Sequence, residues 1–219
     1  MNIDKIFIIN LKHRTDRKEH VLKELKEQNI TNYEFFEAIK PTTEEVNKWN
    51  PNYCHYVKKD VHPLKFENYR IGCLGCLKSH LEIIKLSLER NYNNILILED
   101  DTKFVNPFTN LIEYSDQIHN RYDMLYLSGS HCGKKETVSN NIIKIEGTNT
   151  TGSYLITKNV MEHIVKNINN YDKEIDVFYS KEIQPKYNCY CVIPHITHQL
   201  SGYSDIQQSL VNYGHNWNM

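Results

Sequence analysis

The sequence predicts an α/β domain built on a single, mostly parallel sheet flanked by helices. Three observations lead there. Short apolar runs, Ile6–Ile9 and Ile95–Leu98, suit strands buried on both faces. Segments with helical spacing alternate with such runs, most clearly Leu74, Leu77, Leu81, Ile84 and Leu88. No repeat and no linker-like stretch interrupts the alternation over the 219 residues, so the chain reads as one domain, 1–219.

In chain order, Ile3–Asn10 is the first strand. Asp16 looks like a helix cap with Glu19 three residues on, and Val21, Leu22 and Leu25 carry the helical stripe to about Asn29. Arg14 and Arg17 therefore fall at a strand-to-helix turn, where free N–H groups and the helix dipole favour an anion such as a diphosphate. Surface charges on an exposed first turn would look the same. Tyr33–Ile39 is a second strand, and Pro41-Thr42-Thr43-Glu44-Glu45 opens a short helix. Asn50–Tyr69 has no clear period and suits a lid or binding loop. Ile71–Asn91 is the strongest helix, and Gly72 and Gly75 at its start allow close approach of a neighbouring backbone. A helix from Asn106-Pro107 to about His119 precedes strands at Asp123–Ser128 and Asn141–Glu146. Tyr154-Leu155-Ile156 leads into a helix over Asn159–Ile168, and Cys189–Ile193 is strand-like.

The bulk properties exclude several classes. A net charge of -1 gives no footprint for nucleic acid or an anionic membrane. No apolar run approaches the roughly 18 residues of a membrane span, and the start MNIDKIFIIN reads as a strand, not a signal peptide. A cytoplasmic location is the expectation, and the richness in Asn, Lys, Ile and Tyr matches an AT-rich genome, viral or bacterial. Reduced thiols are then expected at the six cysteines. Cys73 and Cys76 with His80 lack a fourth zinc ligand, and Cys189 and Cys191 share one strand face; packing is the expected role of both pairs. His80, beside the helical stripe, is expected to be a hydrogen-bonded core histidine.

The chemistry points to NILILEDDT, Asn94–Thr102. Glu99, Asp100 and Asp101 follow the buried run at once, and extended geometry would aim Glu99 and Asp101 one way and Asp100 the other. Two carboxylates about 4 Å apart repel by roughly 1 kcal/mol in water and several times more in a cleft. A hard divalent cation, Mg²⁺ or Mn²⁺, removes that penalty. Ligand sites gather at the carboxyl ends of strands in such sheets, which favours a site over a solvated strand end.

Three stretches together resemble glycosyltransferase family 25, which includes lipopolysaccharide and collagen galactosyltransferases. They are the strand ending Asn10-Leu11 with Arg14, Asp16 and Arg17; Gly72-x-x-Gly75-Cys76-x-x-Ser79-His80; and Leu98-Glu99-Asp100-Asp101. Ser204-Asp205-Ile206 adds a weaker match. The resemblance implies a GT-A type nucleotide-sugar-binding fold with the acid run in the role of the DxD motif. It implies that Glu99 and Asp101 hold Mn²⁺ (or Mg²⁺) against the donor diphosphate, that Asp100 faces the sugar or ribose, and that Asn10, Leu11, Arg14 and Arg17 line the nucleotide pocket. By analogy to the fold, His198 is expected to complete the metal shell, ahead of His195. Asp176 is the first candidate for the general base and Asp205 the second.

The implied activity is transfer of galactose or glucose from a UDP-sugar, with inversion, to a hydroxyl of a glycan or hydroxylysine-type acceptor. The rival is a catalytically inactive nucleotide-sugar or carbohydrate-binding module of the same fold. A two-metal phosphohydrolase would need histidine-rich or further acidic motifs that this chain lacks. Donor epimer, acceptor and oligomeric state are not legible. The extra Cys73 and the short chain are departures from the family pattern that bear on the acceptor.

Overall fold

The computed structural model of the chain describes residues 1–49, 63–168 and 173–213, with side chains from residue 67 onward in the second stretch. Its elements run β1 (Lys5–Asn10), α1 (Thr15–Glu27), β2 (Tyr33–Glu37), α2 (Thr43–Lys48), α3 (Pro63–Glu89), β3 (Asn94–Glu99), β4 (Thr102–Phe104) and α4 (Asn110–Asp116). They continue with β5 (Met124–Tyr126), β6 (Ser130–His131), β7 (Lys135–Ser139), β8 (Ile142–Ile145), β9 (Thr148–Asn149), β10 (Ser153–Thr157), α5 (Lys158–Asn167) and α6 (Ile175–Phe178). A π-helical turn over Tyr179–Ile183 extends α6, and β11 (Cys189–Val192), β12 (Thr197–Gln199), β13 (Gly202–Ser204) and β14 (Ser209–Val211) complete the order.

Eight strands form the main sheet in the order β2-β1-β3-β10-β5-β11-β8-β7. Following the pairings across it, six of the eight strands run one way, and β10 and β8 run the other. The predicted mostly parallel sheet is thus present, interrupted by one central antiparallel strand that local patterning did not reveal.

The apolar runs are continuous because the sheet is covered on both faces. Phe7, Ile9, Ile95 and Ile97 face one core, shared with Leu77 and Ile84 of α3 and Val160 and Ile164 of α5. Ile6, Ile8, Leu96 and Leu98 face the other, with Val21 and Leu25 of α1 and Leu111 of α4. Each such side chain taken from water contributes about 1.5–3 kcal/mol, which pins β1 and β3 at the centre. Among the described residues no helix is long and apolar enough to cross a membrane.

Some local expectations change. Asp16 does not cap α1: Arg14 is the cap residue, and the Asp16 carboxylate instead accepts two hydrogen bonds from the Arg14 guanidinium. An ion pair in the first turn has displaced the capping bond. Helix α3 begins at Pro63, eight residues before the expected start at Ile71, so Gly72 and Gly75 lie within the helix. Much of the stretch expected to be a binding loop, 50–62 with Cys54, lies outside the described residues.

Candidate active site

Strand β3 ends on Glu99 and delivers the three acids to the carboxyl edge of the sheet. Asp100 and Asp101 are buried, and Arg17 of α1 reaches both, donating to Asp100 at 2.9 Å and lying 3.5 Å from Asp101. Asn10, the last residue of β1, donates to the other Asp100 oxygen at 2.8 Å. Register explains the meeting, because β1 pairs in parallel with β3 and places Ile9 beside Glu99.

Glu99 is held from the opposite side. His80 Nε2 lies 3.3 Å from its Oε1, and the Thr151 hydroxyl donates to the same oxygen at 2.8 Å. His80 is fully buried and its Nδ1 pairs with the Tyr154 hydroxyl at 2.8 Å, which in turn meets Tyr179 at 3.0 Å. The expected core histidine is therefore hydrogen-bonded, and one of its partners is a site carboxylate.

The electrostatics separate the two outward acids. Burial alone would push the Glu99 carboxyl up, but His80, Thr151 and Arg17 outweigh it and hold it below its usual value. Burial and the Glu99 charge push Asp101 up to about 7 despite Arg17. Asp100 is also raised, by burial, against Arg17 and Asn10. The site thus stores an unfavourable concentration of negative charge, which a cation would relieve.

The ribbon formed by β4 and β12 decides what faces those acids. Its register sets Gln199 opposite Thr102 and His198 opposite Lys103. Gln199 Nε2 sits 3.3 Å from Glu99 Oε2 and 3.5 Å from Asp101 Oδ1. One oxygen of each carboxylate therefore converges on a single point, now taken by an amide nitrogen. The Gln199 amide oxygen is buried with no hydrogen-bond partner among the described residues. Reversing the amide keeps its outline and turns that oxygen towards the carboxylates. Three hard oxygen donors then face one position, a set that fits Mn²⁺ or Mg²⁺. The structure does not bring His198 there; its ring packs 5.8 Å from that of His195.

The acids open into a cleft of about 640 Å³. Leu11, Arg17, Glu99, Asp100, Asp101 and Asp205 all line it. Asn10 and Arg14 act from behind the wall: Asn10 orients Asp100, and Arg14 binds Asp205. The two arginines expected to await an anion are thus already engaged by carboxylates. Asp176 is half-buried and does not line the cleft; its carboxylate accepts the Thr150 N–H at 3.3 Å, next to Thr151. Burial pushes its carboxyl up.

The two glycines of α3 bring the remaining walls together. A Cβ on Gly72 would stand 2.7 Å from Ile206 Cα, and one on Gly75 would stand 2.7 Å from the Ile39 carbonyl oxygen. Ser79 bonds the same loop, accepting the Ile39 N–H at 2.8 Å. The tail Ser204–Ile206 and the loop after β2 can line the cleft only because α3 lies so close. Gln199, Thr151 and Tyr154 went unnoticed in the sequence, since none carries a charge or belongs to a local motif.

A largely parallel α/β sheet, with acids at its carboxyl edge and a cleft above them, defines the chain as a GT-A type domain. The structure of a glycosyltransferase involved in glycosylating the major capsid of PBCV-1 has the same fold, with a TM-score of 0.52 at 13% identity, covering 94% of this chain and 97% of that one. The chain belongs to glycosyltransferase family 25 (LPS biosynthesis protein), whose sequence model matches residues 3–179. It is 33% identical over 148 residues to a candidate glycosyltransferase of Acanthamoeba polyphaga mimivirus, covering 67% of this chain and 44% of that protein. It is 30% identical over 147 residues to procollagen galactosyltransferase 2 of Mus musculus, covering 62% of this chain and 22% of that enzyme. The chain thus spans less than half the length of these relatives.

Proposed function

We propose that residues 1–219 form one GT-A domain that moves a hexose, galactose or glucose, from a UDP-sugar to a hydroxyl of a glycan or hydroxylysine-type acceptor, with inversion and with Mn²⁺ or Mg²⁺ bound. The observation that carries this reading is the convergence of Glu99 and Asp101 on the Gln199 amide beneath a cleft lined by Leu11 and Arg17. Glu99, Asp101 and the Gln199 amide oxygen would hold the cation, with Gln199 in the place first given to His198. The bound cation supplies Lewis-acid stabilisation of the departing diphosphate.

The chain's own residues do the rest. Arg17 partly offsets the upward push of burial on Asp100 and Asp101 and adds positive charge where the leaving group develops negative charge. Asn10 orients Asp100 toward the sugar or ribose. His80 and Thr151 hold Glu99 in one rotamer, so the site needs little reorganisation when substrate arrives.

The proposed base is Asp176 or Asp205, and the two differ physically. Asp205 lines the cleft but is clamped by Arg14; Asp176 has a carboxyl raised by burial but does not line the cleft and is bonded to the Thr150 N–H. Asp176→Asn and Asp205→Asn separate them, because loss of the true base lowers kcat and removes the acidic limb of the pH profile.

The first experiment is calorimetric titration of UDP, UDP-galactose and UDP-glucose with Mn²⁺ and with EDTA, on the native protein and Asp101→Ala. Metal-dependent binding that the variant loses supports the site, and the tighter sugar names the donor. No binding of any UDP compound to folded, Mn²⁺-loaded protein overturns the reading. The rival, an inactive binding module, draws support from the clamped state of Asp205 and predicts binding without turnover.

A further inference from the structure

A second group of ligand atoms lies away from the acids. His131, Cys191 and His195 each place a ring nitrogen or sulfur within 4.8 Å of the other two. They come from β6, β11 and the loop after β11. Strand β11 lies three places from β3 in the sheet, roughly 14 Å at about 4.8 Å per strand. Neither histidine nor the cysteine lines the cleft.

The cluster has the supporting contacts of a built site. His131 Nδ1 is bonded to the Thr148 hydroxyl at 2.6 Å, which fixes the ring. Its Nε2 is buried with no hydrogen-bond partner among the described residues. Thr148 is held in turn by Gln184, whose amide accepts the Thr148 N–H at 2.8 Å and donates to the Thr148 carbonyl at 2.8 Å. Both residues are almost fully buried, at 1% exposure each. A buried ring nitrogen without a partner is unfavourable, and such outer contacts are how metal-binding histidines are oriented.

We propose that His131, Cys191 and His195 form a second metal site, selective for Zn²⁺ and independent of the acidic cleft. Two imidazole nitrogens and a thiolate are borderline-soft donors that prefer zinc to Mn²⁺ or Mg²⁺. The Cys191 Sγ–metal bond forms as the thiol proton leaves to solvent, with no change of oxidation state. Three protein donors leave the fourth tetrahedral position for water or an added ligand. The site would tie the β6-β9 pair to β11 and the loop that follows it.

The test uses the whole protein, stripped with EDTA and titrated with ZnCl₂ against a chromophoric chelator, then with CoCl₂ to record the spectrum. One zinc equivalent is expected to bind, with affinity lowered on the order of 100-fold in Cys191→Ala and in His131→Gln and unchanged in Asp101→Asn. The cobalt form should show a sulfur-to-metal charge-transfer band that disappears in Cys191→Ala and persists in Cys76→Ala. Absence of stoichiometric zinc binding, or zinc lost in Asp101→Asn alone, overturns the proposal. A charge-transfer band lost in Cys76→Ala instead does the same. Circular dichroism checks that each variant is folded, and should Cys191→Ala unfold, the spectrum of unaltered protein still shows whether sulfur is a ligand.

Discussion

On one side of β10 a group of carboxylates meets arginines and a histidine; on the other, two histidines and a cysteine meet with no carboxylate among them. Around β1 and β3, Asp100 and Asp101 face Arg17, Asp205 faces Arg14, and Glu99 faces His80. Around β5 and β11, His131 and His195 stay neutral, and burial pushes the Cys191 thiol up. Glu99 ends β3 and Cys191 lies in β11, which run the same way in the main sheet, while His131 comes from the separate β6-β9 pair. A surplus of negative charge that the arginines offset only in part suits a site that must accept a dication and a diphosphate and then release them. Neutral, immobilised donors suit an ion that stays. The fold supplies position; the surrounding charges decide what can bind there.

The sharpest way to break this comparison is a double dissociation. Asp101→Ala should weaken metal-dependent UDP-sugar binding by at least ~100-fold, about 2.7 kcal/mol, while Cys191→Ala should leave it within about twofold. Calorimetry of both variants decides, and a matching loss in both would erase the distinction between the halves.

Next in size is Gly75→Val. Its Cβ would meet a backbone oxygen at 2.7 Å, which cannot rotate away, so a loss of roughly 1–3 kcal/mol in urea unfolding is expected, together with weaker nucleotide binding. Stability and binding should fall together if α3 does position the cleft walls.

A smaller effect tests stored charge. In the metal-free protein Asp101 holds its proton up to about pH 7, against about 3.9 in an unfolded chain. The folded state therefore binds more protons between those values. The stabilisation is complete below about pH 4 and lost as pH rises through 7. Asp101→Asn should flatten that slope and raise the metal-free melting temperature at pH 8 by roughly 2–4 °C, even as it weakens Mn²⁺ binding. A thermal melt series from pH 4 to 8 reads both. Smallest of all, Tyr154→Phe should cost about 1 kcal/mol, by leaving His80 and Tyr179 each short of one bond.

Much of the donor half was legible because its signals are local. The runs at Ile6–Ile9 and Ile95–Leu98 announce buried strands, the stripe from Leu74 to Leu88 announces α3, and the acids follow a strand directly. The glycines of α3 announced a close approach, and the contacts with Ile206 and Ile39 bear this out. The pairing of β10 between β3 and β5 was not legible, since nothing in Tyr154-Leu155-Ile156 names its partners or direction. The choice between His198 and Gln199 was hidden for a related reason. Alternate residues of a strand face opposite ways, so a shift of one position exchanges them.

The amino-acid sequence by itself determined the longer strands and helices, their order and the family, because these depend on periodicity and motifs within a few residues; the short strands β4, β6, β7, β9 and β12–β14 carry too few residues for a period to show. Tertiary structure alone decided that Arg17 and Asn10 grip Asp100, that Gln199 bridges Glu99 and Asp101, and that His131 meets Cys191 and His195. Those contacts join residues up to a hundred positions apart. They are fixed by register and helix packing, which no local pattern of residues encodes.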